Sequence, residues 1–208
     1  MKEVYLAGAY LLDPFYEVHR RGDPAGLYRI WDIAPDQFPR NRYFIEYYRR
    51  TTIVDEIGFV SWPTPGVSLH LCLGRDARSG TRFSPKQLSA AQRIAPIVDA
   101  LVCAHWKDLR FEQDSDQEGV TQRIIRLVAK NRNIKLTNRQ AEVAFLVLQG
   151  HSSMSIGLRL GISAQTVKVF RKQLYKMCEI SSQAELFSLL LPILTVNRDP
   201  ILLASETG

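Results

Sequence analysis

Residues 152–177 read SSMSIGLRLGISAQTVKVFRKQLYKM, and the spacing inside this stretch decides the architecture of the second half of the chain. Ser152 and Ser163 stand where two short helices would need N-caps. Gly161 suits the left-handed backbone that stops a helix in a sharp turn, and Gly157 is small where the two helices must cross. Val167 is the branched apolar side chain that locks the second helix onto the first, while Ile156, Leu160 and Ile162 supply a small internal core. The spacing therefore predicts a helix, a tight turn and a second helix.

That second helix, Ala164 to Met177, is two-sided. At about 100° per residue, Val167, Phe170, Leu174 and Met177 share the arc that faces a core. Gln165, Lys168, Val169, Lys172 and Lys176 share the opposite arc, and Arg171 lies at its flank. Long cationic side chains around one apolar contact fit a DNA major groove, with the flanking arginine suited to a phosphate. A solvated surface helix has the same pattern, so the helix alone does not decide the matter.

Charge along the chain favours the groove. Between Val120 and Leu191 there are eleven Lys and Arg against three Asp and Glu, so the rest of the chain carries about −2 of the net +6. A cluster of this kind gains affinity for nucleic acid by releasing condensed counterions.

The stretch from Leu136 through the recognition segment resembles the LuxR-type helix-turn-helix domain. The resemblance rests on Leu136-Thr137-x-Arg139, Glu142-Val143, Gly150, Ser152, Ile156, Leu160, Ile162-Ser163, Thr166-Val167-Lys168, Leu174 and Lys176. It implies a four-helix DNA-binding domain over 120–208, with Lys168, Val169 and Lys172 at base-reading positions and Thr166 at a phosphate-contacting one. Arg171 and Lys176 complete the expected DNA-binding set. Three departures stand out. Ser153-Met154-Ser155 replaces the usual Asn-Lys-Glu, Gly157 replaces a common alanine at a propensity cost of about 1 kcal/mol, and Phe145 is apolar where a polar residue is expected.

Upstream, the acidic segment 111–119 (FEQDSDQEG) is the expected linker, leaving 1–110 as a first domain. Val67, Leu69, Leu71 and Leu73 alternate with polar residues, and a Pro63-Thr64-Pro65-Gly66 turn joins them to Ile53–Trp62 as an antiparallel hairpin. Ser84-Pro85 opens a helix that runs to Trp106 and is expected to kink or divide at Pro96. Glu3–Phe15 and Asn41–Thr51 read as helices and Leu27–Ile33 as a strand. The expected fold class is α+β, a mixed α/β domain followed by an all-α one. The first domain resembles a GAF-like or PAS-like sensor. Thirteen of the 20 aromatic residues fall between Tyr5 and Trp62, which suits a small-molecule effector pocket as well as an ordinary core. Tyr10, Asp13-Pro14 and Trp31 are similar to elements of acyl-homoserine-lactone sensors, and with Trp62 they form the candidate effector-binding set.

Other classes find little support. Asp55-Glu56 reads as a solvated strand edge rather than a phosphoacceptor, the four histidines are isolated, and no Gly-rich phosphate loop precedes a helix. Cys72, Cys103 and Cys178 form no metal or redox pair and read as buried small hydrophobes. No run is long and apolar enough to span a bilayer, and no signal peptide opens the chain, so the expected location is cytoplasmic. The expectation is a one-component transcriptional regulator without catalysis, metal or cofactor. Its expected partners are double-stranded DNA, a small-molecule effector, RNA polymerase and a second copy of itself. The homodimer is expected to form partly through the helix Ser181–Leu191, whose Leu186, Leu189 and Leu190 lie off the arc of Ala184, Phe187 and Leu191; packing against the first domain is the competing way to bury them. The alternative is a degenerate regulator that pairs with a relative without productive DNA contact.

Overall fold

A computed structural model describes residues 9–45, 51–109 and 119–194, with side chains up to residue 190. By their contacts the residues form two units: a sheet unit of Pro14–Pro35 with Phe44–Gln117, and a helical unit of Met1–Asp13, Asp36–Tyr43 and Glu118–Gly208.

The sheet unit is built on the hairpin. β2 (Ile53–Thr64) pairs antiparallel with β3 (Val67–Asp76), and Gly66 takes the positive φ of 78° that the two-residue connection requires. β1 (Gly26–Arg29) joins the other edge of β2, giving the order β1-β2-β3. The strand expected over Leu27–Ile33 stops at Arg29, and Ile30–Ile33 turns into the short helix α2. Ahead of β1, Pro14 starts α1 (Pro14–Arg21), because a proline fits the first turn of a helix better than its end. Most of the helix expected over Glu3–Phe15 and part of that over Asn41–Thr51 lie outside the described residues, as do residues 111–118 of the expected linker.

α3 (Pro85–His105) begins with the Ser84–Gln87 capping box and covers one face of the sheet, where Ile57 and Phe59 meet Ala91 and Ala95. It is not divided at Pro96. That residue sits on the exposed side, where water can satisfy the carbonyl one turn earlier. On the other face, Phe15 of α1 presses on Gly58, leaving no room for a side chain there.

Two further sequence expectations fail. Asp55 is no solvated edge: it is fully buried and paired with Arg29 at 3.0 Å, and it also accepts the Phe83 amide at 2.9 Å. Cys72 is exposed, Cys103 half-buried, and only Cys178 is a buried small hydrophobe.

In the helical unit, α4 (Val120–Arg132), α5 (Asn138–Gln149), α6 (Ser153–Leu160), α7 (Ala164–Met177) and α8 (Gln183–Leu194) follow one another. Thr137, Ser152 and Ser163 each cap a helix through the side-chain oxygen. α5 is the central helix, buried on nearly every side, Phe145 included. Leu186, Phe187 and Leu190 of α8 are buried within the chain, with α8 packed on α4, on α5 and on the 3-10 turn Ala9–Leu12. Those leucines therefore supply no motive for a two-fold partner; Leu189 is half-buried, and the side chain of Leu191 is outside the described residues.

Between α1 and the sheet, Ser68 Oγ lies 2.8 Å from His19 Nδ1 and 2.9 Å from His70 Nε2, and the His19 ring stacks on Trp62. Burial, and then the charge of His19, push the His70 pKa down to about 4. The unfolded chain takes up this proton from about pH 6.5 downward while the folded chain resists it until about pH 4. Stability is thus complete above pH 6.5, falls across that window and levels off below it. Urea unfolding at pH 7 and pH 4.5 is expected to show a loss on the order of 1–3 kcal/mol, which His70→Gln reduces.

Candidate nucleic-acid interface

The turn between α6 and α7 sets the site. Gly161 caps α6 at φ 65°, and its amide and that of Ile162 both donate to the Gly157 carbonyl, the latter at 3.0 Å. A Cβ on Gly157 would stand 2.7 Å from the carbonyl oxygen of Ile162. Glycine is therefore demanded here by contact, not merely tolerated at a propensity cost.

This crossing orients α7. Val167 and Leu174 are buried, with Phe170 and Met177 half-buried beside them. Gln165, Lys168, Val169, Lys172 and Lys176 are exposed, Val169 to 46% despite being apolar. Thr166 is half-buried at the start of the helix, its amide held by Ser163 Oγ and its hydroxyl 2.8 Å from the same oxygen. Arg171 is tethered rather than free: Nη1 donates to Ser153 Oγ at 3.4 Å and Nη2 to Tyr175 Oη at 3.3 Å. The structure thus brings Thr166, Lys168, Val169, Arg171, Lys172 and Lys176 onto one helix with their polar ends outward or flanking. That arrangement can place three ammonium groups and one apolar side chain in a groove and aim a guanidinium at its wall.

The outer side of α6 carries two apolar side chains beside Arg159. Met154 and Leu158 are 65% and 80% exposed. Met154 was visible in the sequence as a departure; Leu158 was not, because a leucine at helical spacing reads as core.

The effector candidates fall in both units. Tyr10 and Asp13 belong to the helical unit, where Tyr10 is buried and Asp13 accepts from Tyr43 Oη at 3.3 Å. Trp31 and Trp62 belong to the sheet unit in different surroundings. Trp31 packs on Phe44 under the Arg82 guanidinium, whereas Trp62 stacks on His19 and donates from Nε1 to the Asp23 carbonyl. An open groove at the end of α3 is lined by Leu101, Val102, Ala104, His105 and Trp106. Among the described residues, no cluster of His, Cys, Asp and Glu could hold a metal ion, and no helix is long and apolar enough to cross a membrane.

Sequence reasoning missed one group altogether. The Asp36 carboxylate accepts the amide of Ser152 at 2.9 Å, at the start of α6. Burial raises the Asp36 pKa, but the hydrogen bonds from Ser152 and the charge of His151 outweigh it and hold the group below the usual carboxylate value. No local pattern marks a contact between residues so far apart in the chain.

Residues 135–190 match the family described as "Bacterial regulatory proteins, luxR family". A protein of Aeromonas salmonicida named "Putative HTH-type transcriptional regulator in exeN 3'region" is 30% identical over 185 residues, covering 86% of this chain and 93% of that one. Among solved structures, the VqsR LBD domain from Pseudomonas aeruginosa is similar at 31% identity and a TM-score of 0.43, across 49% of this chain and 61% of that chain.

Gly157→Ala tests the crossing. Propensity alone favours the alanine by about 1 kcal/mol, but the Cβ must displace the backbone of the turn. Thermal unfolding is expected to show a net loss of about 1–3 kcal/mol and weaker DNA binding; a stabilised variant would show that the turn yields freely.

Proposed function

The chain belongs to the luxR family of bacterial regulatory proteins and is a DNA-binding transcriptional regulator; from that premise we propose that α7 reads the operator. Lys168, Val169 and Lys172 approach base edges, while Thr166, Arg171 and Lys176 hold phosphates. The observation that carries this reading is the division of α7 into a buried side, with Val167 and Leu174 almost inaccessible, and an exposed side bearing Lys168, Val169, Lys172 and Lys176. The protein acts in the cytoplasm as a one-component regulator, without catalysis.

We assign effector sensing to the sheet unit, with a small molecule rather than a phosphoryl group as the signal. The burial of Asp55 and its pairing with Arg29 support this, because a carboxylate in that state is closed to a phosphodonor. Stoichiometric labelling of Asp55 by a small phosphodonor would overturn it. The alternative of a regulator that pairs without productive DNA contact draws on the exposed Met154, which stands where the resemblance implies a lysine, and on the exposed Leu158 beside it. Sequence-selective binding by the full chain separates the two.

Two copies on an inverted repeat complete the reading. With Leu186 and Leu190 of α8 already covered, we place the pairing surface on the sheet unit. Besides Ile45, its large exposed apolar side chains among the described residues are Ile94, Ile97 and Leu101 of α3 and Leu71 and Leu73 of β3. The strand residues pair with Phe59 and Ile57 and so share the face on which α3 packs. Such a concentration marks an interaction surface.

Lys172→Ala is expected to relax operator specificity by about 1–3 kcal/mol, whereas Arg171→Ala weakens all sequences alike. Unchanged affinity in both, at moderate salt, would refute the assignment of α7. Leu101→Glu is expected to convert a sedimenting dimer to a monomer with its melting temperature preserved. A variant that stays dimeric would move the interface elsewhere.

A further inference from the structure

The segment Asp36–Tyr43 is assigned to the helical unit although the sequence on either side of it belongs to the sheet unit. Phe38, Asn41 and Tyr43 are buried. Three hydrogen bonds fasten the segment to the connection between α5 and α6. Gln37 donates its amide to the Gly150 carbonyl at 3.0 Å, Asn41 Nδ2 donates to the Gln149 carbonyl at 2.8 Å, and Asp36 Oδ1 accepts the Ser152 amide at 2.9 Å. Gly150 is shaped to receive it: φ is 97°, and a Cβ there would stand 2.8 Å from Asn41 Nδ2. In the sheet unit, Phe44 directly follows the segment and Trp31 precedes it by five positions; their ring centroids are 6.0 Å apart, and the Arg82 guanidinium is 4.7 Å from the Trp31 ring.

We propose that Asp36–Tyr43 is a strap that sets the position of the first helix of the helix-turn-helix, with Asp36 and Asn41 as positioning residues for DNA binding, and that it carries the state of the sheet unit to that helix. The proposal rests on the reading of α7 as the DNA-binding helix. The path is short. Asp36 holds the amide of Ser152; the adjoining Ser153 Oγ accepts from Arg171 Nη1, and Arg171 also reaches Tyr175. Release of the start of α6 removes one of the two partners that orient the Arg171 guanidinium. At the other end the chain is continuous. Phe44 adjoins Tyr43, so displacement of Phe44 acts directly on that end of the strap.

The test uses the full chain, with amide exchange at Ser152 as a readout that needs no DNA. Asp36→Ala is expected to raise that exchange about tenfold and to weaken operator and non-operator DNA together by about fivefold, the worth of roughly one hydrogen bond. Asp36→Asn keeps an acceptor and is expected to restore both. In the double variant with Arg171→Ala, the losses are expected to be less than additive, since both substitutions disable one phosphate contact. Unchanged Ser152 exchange in Asp36→Ala, or strict additivity with Arg171→Ala, would overturn the positioning role. If the wild type selects no operator, the reading of α7 fails while Ser152 exchange still decides whether the strap holds α6. For transmission, Phe44→Leu is expected to raise Ser152 exchange at least about threefold. Arg82→Gln, which removes the guanidinium from the Trp31 ring, provides the same readout if Phe44→Leu does not fold. A folded variant of either kind with wild-type exchange at Ser152 would overturn transmission.

Discussion

The approach of Gly157 to the Ile162 carbonyl is the constraint on which the DNA-facing geometry depends. A hydrogen at that position lets α6 meet the turn at van der Waals distance, and the positive φ of Gly161 reverses the chain within one residue. The angle that results buries Val167 and Leu174 and leaves the opposite side of α7 to the solvent. Two serine caps, at Ser152 and Ser163, satisfy amides that would otherwise be left open at the start of each helix.

Around this turn the helical unit is assembled from separate parts of the chain. α5 at its centre is covered by its helical neighbours, α8 is covered on its leucine side by α4 and the 3-10 turn at Ala9–Leu12, and the strap closes over the connection at Gly150. Because Leu186, Phe187 and Leu190 of α8 are buried within the chain, the hydrophobic cost of exposing them does not arise. Most of the exposed apolar surface among the described residues lies instead on α3, β3 and α6, with Ile45 and Val169 besides.

The sheet unit relies on a different device. Asp55 is a charge without access to water, and it is tolerated because Arg29 and the amides of Phe83 and Glu56 supply donors for its oxygens. Removing any one of these leaves a buried charge short of a partner. The pair therefore ties β1, β2 and the approach to α3 into one arrangement.

The sequence by itself determined the elements whose signals are local. The serine caps, the glycine turn, the period of α7, the hairpin over Gly66 and the Ser84-Pro85 start of α3 each depend on residues a few positions apart, and steric and hydrogen-bonding rules act at that range. The cationic face of α7 was legible for the same reason. What the tertiary structure decided depends on distant partners. Asp55 looked like a strand edge until Arg29 and the Phe83 amide closed over it, and the α8 leucines looked unsatisfied until α4 and residues 9–12 covered them. The strap is the extreme case: Asp36 and Ser152 are separated by 116 positions, and Asn41 and Gln149 by 108. No periodicity in one segment encodes a hydrogen bond to another; only the packed chain brings the donor and the acceptor together.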